Sequence, residues 1–216
     1  MKILGLDTST LTSGIAVVDD GVVLAEGRHD ASGRTADLLV AIDEVCKRAG
    51  VPPTELDAVA VGAGPGSFTG LRIGMATAKG IAFATGKPLW AVSSLAALAH
   101  EARGAGFVVA VLDARRAEVY AGCYLEGVLV GEERVLAPAA VAPWVSELAG
   151  DRLITYIGDA IAATITTPSG VAVAQLALAG ARTDVVTGGA PTYIRPPEAE
   201  VMYPDGVPGA LRRRDP

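Results

Sequence analysis

The pattern of apolar and polar positions along the chain predicts an α/β protein. Lys2 to Thr8 reads as a buried strand, and Gly14–Val18 and Val22–Arg28 follow as a hairpin that turns at Asp19-Asp20-Gly21. Apolar residues then recur at helical spacing, which predicts a helix over Arg34–Ala49 with its charged residues on the opposite face. Such an order of elements is typical of a sheet covered by helices.

The next helix has an unusual composition. A short apolar strand, Leu56–Gly62, leads into the Gly-rich turn Gly62–Gly70 and then into a predicted helix over Leu71–Thr85. Arg72 and Lys79 are its only charged residues, and the rest of its surface is apolar or small. A helix without a polar face is buried on more than one side, so we expect its second side to contact another subunit.

After Gly104–Gly106 the pattern starts again. Phe107–Leu112 predicts a strand that ends at Asp113, and the following hairpin makes the segment LDARRAEVYAG similar to LDTSTLTSGIAV near the start. We interpret this as a weak duplication, with an N-terminal half-domain over 1–104, a smaller C-terminal half-domain over 105–190 and a Pro-rich tail over 191–216. The remaining predicted elements are a strand over Lys87–Val92, a helix from Ser93 to Arg103, a hairpin over Ala117–Leu125 and Val128–Leu136, helices over Pro138–Ala149 and Val171–Ala179, and a strand over Leu153–Ile157.

Composition narrows the classes of function. The chain has 216 residues, half of them hydrophobic, and a net charge of −6, which argues against a large nucleic-acid surface. The basic run Arg212–Arg214 is expected to be a solvated end. Cys46 and Cys123 follow no metal-ligand spacing and are predicted to be buried thiols. Because the first residues run directly into a strand, and no apolar segment suits a membrane span, a cytoplasmic protein is expected.

Two turns could hold phosphate. Asp7, Thr8 and Ser9 follow a buried strand, where hydroxyls and backbone N–H groups can bind phosphate oxygens. Gly66, Ser67 and Thr69 precede a helix, whose N-terminus favours anions. However, neither turn has a known phosphate-loop spacing, and tight packing explains the glycines equally well. The sequence leaves both interpretations open.

Other catalytic groups are scarce. His29 and His100 lie far apart in sequence and outside any metal-binding motif, so no metal site is predicted. No nucleophile elbow occurs, and Ser93-Ser94 is typical of a helix cap. We therefore predict no catalytic residue and no cofactor of the chain's own.

Three segments together resemble a known family. LGLDTST, GPGSFTGLRIG and LDARRAEVYAG resemble the TsaB (YeaZ-type) family, and PTYIRP near the end is similar to its C-terminal signature. The resemblance covers residues 1 to about 125 well. It implies two ribonuclease-H-like half-domains of the actin-like, sugar-kinase and heat-shock ATPase superfamily, the second one shortened.

The family resemblance also implies a partner role. A larger homologous subunit carries the metal and transfers a threonylcarbamoyl group to the tRNA adenosine beside the anticodon. The smaller subunit pairs with it through the first half-domain, and a separate small ATPase joins the assembly.

Three features of this chain agree with a non-catalytic subunit of that assembly. The helix from Arg34 has none of the paired metal-binding histidines of the catalytic homologue, and Thr35-Ala36 stand where many relatives of the small subunit carry a His-Ser pair. Asp113 is followed by Ala-Arg-Arg, and Gly188-Gly189 is followed only by a Pro-rich tail. We therefore expect any nucleotide to be lost or shared across the interface.

The two helices Arg34–Ala49 and Leu71–Thr85 are the predicted partner surface. The alternative is that both helices only cover the sheet. The residues chosen for the interface are Leu38, Leu39, Ile42, Arg72, Ile73, Met75 and Ala76.

Three other functions are weighed against the partner role. One is an autonomous ATPase or kinase-like enzyme of the same superfamily, and another, with less support, is a glycoprotease-like peptidase. The third is a homodimer, because an apolar helix face self-associates when its partner is absent.

Overall fold

Apolar, β-branched segments separated by short turns build the sheets of this protein. The computed structural model describes residues 1–30, 35–161 and 164–185. Its strands are β1 (Lys2–Asp7), β2 (Thr12–Asp19), β3 (Val22–Asp30), β4 (Ala58–Gly62), β5 (Leu89–Val92), β6 (Phe107–Asp113), β7 (Val119–Leu125), β8 (Val128–Leu129), β9 (Arg134–Leu136), β10 (Ile154–Gly158), β11 (Thr164–Ile165) and β12 (Thr183–Asp184).

Three of the helices in the described part of the chain begin directly after a capping serine. The helices are α1 (Thr35–Ala49), α2 (Phe68–Thr85), α3 (Ser94–Glu101), α4 (Pro138–Ala149) and α5 (Gly170–Leu178), with a short 3-10 turn at Pro53–Glu55. The side chains of Ser67, Ser93 and Ser169 each accept a hydrogen bond from a backbone N–H in the first turn of their helix. The cap at Ser67 starts α2 at Phe68, three residues before the predicted start.

The two sheets repeat one topology. In the first, the strands lie in the order β12-β5-β4-β1-β2-β3, with β1, β4 and β5 parallel and β1, β2 and β3 antiparallel. In the second, the order is β11-β10-β6-β7-β8, with β9 also paired to β7. Each half thus runs as an antiparallel meander followed by parallel strands on the other side of its first strand, which agrees with the predicted duplication.

Helices and sheets alternate in layers. Helices α1 and α2 cover one face of the first sheet and share a hydrophobic cluster with it. Helix α5 covers the opposite face, while α3 lies between the sheets, its Ala97 facing the first and its Leu95 and Leu98 the second. Helix α4 covers the far side of the second sheet. The carboxyl ends of β1, β4 and β5 therefore meet the start of α3.

The predicted boundary between the half-domains needs a correction. Helix α5 and strand β12 fall within the predicted C-terminal half, 105–190, yet both belong to the first sheet. The physical reason is the close approach of α5 to β1 and β2, where a Cβ at Gly5, Gly14 or Gly170 would overlap neighbouring backbone atoms. The predicted tail, 191–216, and the Gly188-Gly189 turn lie outside the described residues.

Candidate functional site

Asp7 ends strand β1 and lies at the centre of a buried polar cluster. Its carboxylate is 1% exposed. Oδ1 accepts hydrogen bonds from the Ser9 backbone N–H at 2.8 Å and the Ser9 hydroxyl at 2.6 Å, and Oδ2 accepts one from the Ser94 hydroxyl at 2.7 Å. Among the described residues, no cation pairs with this carboxylate. Three neutral donors therefore stabilise it.

The Gly-rich turn closes over this cluster. The Ser67 backbone N–H donates to the Ser9 carbonyl at 2.7 Å, and the Thr8 hydroxyl donates to the Gly70 carbonyl at 2.8 Å. A Cβ at Gly62 would overlap Asp7 Oδ2, and one at Gly74 would overlap the Thr8 hydroxyl. The glycines thus allow α2 and β4 to pack directly against the Asp7 turn, as the packing interpretation of this motif predicts.

Burial governs the titration of Asp7. Loss of contact with water raises the pKa of its carboxyl, while the hydrogen bonds from Ser9 and Ser94 lower it. The three hydrogen bonds thus engage both carboxylate oxygens within the fold itself.

The candidate phosphate residues are brought together, but most of them bind one another. Thr8 and Ser9 are buried and hydrogen-bonded within the cluster. Ser67 is exposed, and its hydroxyl accepts from the Gly70 N–H at 3.2 Å. Gly66 is partly buried beside Ser9, while Thr69 is exposed on the first turn of α2. The geometry is that of a closed structural turn.

The second strand–turn unit closes in a different way. Asp113 accepts a hydrogen bond from the Arg115 backbone N–H at 2.7 Å and forms an ion pair with its guanidinium at 3.0 Å. Arg115, Arg116 and Ala117 all have positive φ, a backbone conformation unfavourable for residues with a side chain. The Asp113 N–H donates to Asp159 Oδ1 at 2.8 Å, and burial together with the charge of Asp113 raises the pKa of Asp159. As in the Asp7 turn, the carboxylate accepts a hydrogen bond from the backbone N–H two residues later.

The sequence did not single out several residues of the polar cluster. Ser94 lies 87 residues from Asp7 along the chain, and it was interpreted only as part of a helix cap. Glu133 accepts hydrogen bonds from the hydroxyls of Ser93 and Tyr124. No local motif marks these contacts, because only the fold brings α3 against both sheets.

The predicted partner residues divide into buried and exposed ones. Leu38, Ile42 and Met75 are each 3% exposed and belong to the core under α1 and α2, so the prediction is corrected for these three. Ile73 is partly buried against that core. The exposed residues are Leu39, Arg72 and Ala76.

We call the outward side of these two helices the α1–α2 face. From α1 it includes Leu39 and Val40, which are 52% and 58% exposed, and from α2 it includes Phe83, which is 91% exposed. The other exposed positions of this face are Asp43, Glu44 and Lys47 on α1, and Arg72, Ala76, Lys79, Gly80 and Ala84 on α2. Helix α2 contributes only basic charges to it, whereas α1 contributes two carboxylates together with Lys47, which forms an ion pair with Asp43. Such an apolar surface with charges of both signs is typical of a protein–protein contact.

The described part of the chain has neither a metal-binding cluster nor a membrane-spanning helix. Within residues 1–30, 35–161 and 164–185, no three His, Cys, Asp or Glu side chains are grouped to hold a metal ion. His100 instead shares a hydrogen bond with Gln175 at 3.1 Å. In the same part of the chain, no helix is both long and apolar enough to cross a bilayer.

Comparison with known proteins gives consistent matches. Residues 31–190 match the family described as TsaD, tRNA N6-adenosine threonylcarbamoyltransferase. The tRNA threonylcarbamoyladenosine biosynthesis protein TsaB of Escherichia coli (strain K12) is 36% identical over 159 residues, which cover 70% of this chain and 69% of that protein. The protein of the same name from Bacillus subtilis (strain 168) is 34% identical over 167 residues, covering 73% and 71%.

A solved structure agrees over a larger share of the chain. The crystal structure of YeaZ from Pseudomonas aeruginosa superimposes with a TM-score of 0.76 and 32% sequence identity, covering 89% of this chain and 99% of that one. The similarity therefore extends to both sheets.

Proposed function

The chain belongs to the TsaB family, and from this premise we propose that it is the non-catalytic partner subunit of a larger catalytic homologue in tRNA threonylcarbamoyladenosine biosynthesis. The matched relatives confirm the resemblance that the three sequence segments indicated. They also confirm the α/β fold class. The partner role itself rests on the surface and the turns described above.

The observation that carries the proposal is the α1–α2 face. Phe83, Leu39 and Val40 expose large apolar side chains that no described part of the chain covers. Exposed aromatic and aliphatic side chains of this size are the usual anchors of protein interfaces. In a homologous partner the equivalent helices would lie opposite, and their exposed apolar side chains would pack against one another. The same apolar contact allows two copies of this chain to pair when the partner is absent.

The closed Asp7 cluster supports a non-catalytic role. Both carboxylate oxygens of Asp7 accept hydrogen bonds from Ser9 and Ser94, and the Thr8 hydroxyl donates to the Gly70 carbonyl. We therefore place any nucleotide of the assembly at the interface with the partner, and we assign ATP turnover to the separate small ATPase. With its net charge of −6, the chain contacts tRNA only through its partners in this proposal.

The direct test is light scattering after mixing the purified chain with the large homologue from the same organism. We expect a stable heteromer whose mass equals the sum of both subunits, with or without ATP and magnesium. Two separate masses at micromolar concentration under both conditions would overturn the proposal.

Two matched variants locate the contact. Leu39→Glu and Ala76→Glu change exposed positions of the α1–α2 face, so we expect pairing to weaken while the circular dichroism spectrum stays that of the wild type. Leu38→Glu is the contrasting variant, because it buries a charge in the core and should unfold the domain.

Titration calorimetry with ATP and magnesium separates this proposal from an autonomous ATPase. We expect no heat of binding in the isolated chain, because the polar groups of the Asp7 turn already have partners. Low-micromolar affinity would favour the enzyme instead.

A further inference from the structure

The N-terminus of α3 joins the two sheets through two consecutive serines. The Ser94 hydroxyl donates to Asp7 at the end of β1, in the first sheet. The Ser93 hydroxyl donates to Glu133, which immediately precedes β9 of the second sheet. Adjacent residues of one helix start thus contact carboxylates that belong to opposite sheets.

Glu133 is held from a second direction as well. The Tyr124 hydroxyl donates to the same oxygen, Oε1, at 2.7 Å. Tyr124 lies on β7, is 2% exposed and packs with Leu95 and Leu98 of α3. Gly122 leaves room for this arrangement, because a Cβ there would come within 2.9 Å of the Tyr124 ring and 3.4 Å of Glu133 Cγ. The side chain of Glu133 is therefore fixed between a strand of the second sheet and the helix between the sheets.

We propose that Glu133 acts as a latch that holds the second sheet against the start of α3, the helix whose first residues contact Asp7 and the Gly-rich turn. The latch is independent of the capping of α3. The Ser93 hydroxyl also accepts from the Ala96 backbone N–H at 3.1 Å, so the helix keeps its cap when Glu133 is removed. What the latch adds is a connection between the sheets.

The start of α3 also holds the Gly-rich turn beside Asp7. Ser94 accepts a hydrogen bond from the Gly64 backbone N–H at 3.2 Å, and its own N–H donates to the Gly64 carbonyl at 2.8 Å. Helix α3 therefore fixes the Gly-rich turn from one side while Ser93 fixes Glu133 on the other. Loosening the Glu133 contact frees the second sheet to move away from this assembly of turns.

Double electron–electron resonance, which measures the distance between two spin labels, tests the latch. One label is attached at Thr54→Cys, in the turn before β4, and the other at Glu147→Cys on α4; both positions are exposed. The native Cys46 and Cys123 are buried and should not react. We expect a single narrow distance distribution in the otherwise wild-type chain, and an additional longer population in Glu133→Ala.

Two variants serve as controls for this measurement. Glu132→Ala removes the neighbouring surface carboxylate, which pairs with Arg134 at 2.8 Å, and should leave the distribution unchanged. Glu133→Gln keeps an oxygen that accepts from both hydroxyls, so it should retain the narrow distribution. An unchanged distribution in Glu133→Ala, or equal broadening in Glu132→Ala, would overturn the latch.

Hydrogen exchange provides a second readout if Glu133→Ala does not fold. Tyr124→Phe removes one of the two bonds to Glu133 and keeps the ring in the core. We expect amides of residues 130–136 to exchange several-fold faster, while those of β1 and β2 keep their wild-type rates. Unchanged rates at 130–136, or the same acceleration in β1 and β2, would contradict the proposal.

Discussion

Asp7 shows how a single carboxyl group can be identified from sequence while its role cannot. Its place after a buried strand and before Thr8 and Ser9 marks it as a functional candidate. The donor that completes its environment is Ser94, which local sequence presents only as the first residue of a helix. A hydrogen bond across 87 residues depends on the packing of α3 between the sheets, and no spacing rule expresses it. The closed state of the turn therefore became visible only in the structure.

The pH dependence of stability reports on Glu133, a partly buried carboxyl group. Burial raises the pKa of Glu133 above its ordinary value of 4.5, although Ser93 and Tyr124 lower it as donors. A raised folded-state pKa means that the folded chain binds the proton more readily than the unfolded chain. The contribution of the Glu133 carboxyl group to the free energy of unfolding is therefore fully present at low pH. It is lost as the pH rises through the folded-state pKa.

Glu133→Gln removes this titration while keeping the hydrogen-bond acceptor. We expect the free energy of unfolding of the wild type, relative to Glu133→Gln, to increase as the pH falls from 7 toward about 4.5. Urea denaturation of both proteins at a series of pH values measures the difference. A difference that stays constant, or that decreases on acidification, would contradict the assignment.

Helix α2 shows how far the burial of a helix can be predicted from its sequence. Its low charge predicts burial on more than one side. Within the chain one side is buried and the other exposes Phe83 to 91%, so contact of that second side with another subunit stays a prediction. The direction of individual residues was not predictable, because small and apolar residues surround the whole helix and give no distinct polar face. Met75 was therefore chosen for the interface although it lies in the core. In α1 the regular spacing already placed Leu38 and Ile42 with Val45, on the side that the structure buries.

Two glycines of α2 provide a matched pair of substitutions. A Cβ at Gly74 would overlap the Thr8 hydroxyl, so Gly74→Ala should lower the free energy of unfolding by about 1–3 kcal/mol through overpacking. Nothing lies within 4 Å of a Cβ at Gly80, so Gly80→Ala should raise it by about 0.5–1 kcal/mol through helix propensity. Urea unfolding of the isolated chain measures both. Equal effects of the two substitutions would show that the Asp7 turn does not pack against α2 as described.

At the scale of the whole molecule, the sequence predicts two halves that begin with the same strand–turn–strand unit. It does not predict that α5 and β12, which fall within the second half of the sequence, belong to the first sheet. LDTSTLTSGIAV and LDARRAEVYAG mark equivalent strands, β1 with β2 and β6 with β7, and both sheets repeat one strand order. The apolar composition of α5 predicts burial without indicating which sheet covers it. The site of α5 is set by Gly5, Gly14 and Gly170, which are distant in sequence and meet only in the folded chain.

The described part of the chain thus combines a closed interior with an exposed α1–α2 face. Polar groups at the ends of β1 and β6 bind their own turns, and the described helices cover both faces of the first sheet. The α1–α2 face is where large apolar side chains and charges of both signs remain exposed together. Pairing through this face is the central claim about function.

Binding of the large homologue to Phe83→Glu and to Leu153→Glu, measured by titration against the wild type, tests that claim most directly. Phe83 and Leu153 are 91% and 84% exposed, so neither substitution should affect folding, but only Phe83 lies on the α1–α2 face. We predict that Phe83→Glu weakens binding at least about tenfold, or about 1.4 kcal/mol, while Leu153→Glu binds as the wild type does. Wild-type affinity in Phe83→Glu, or an equal loss in Leu153→Glu, would contradict pairing through this face.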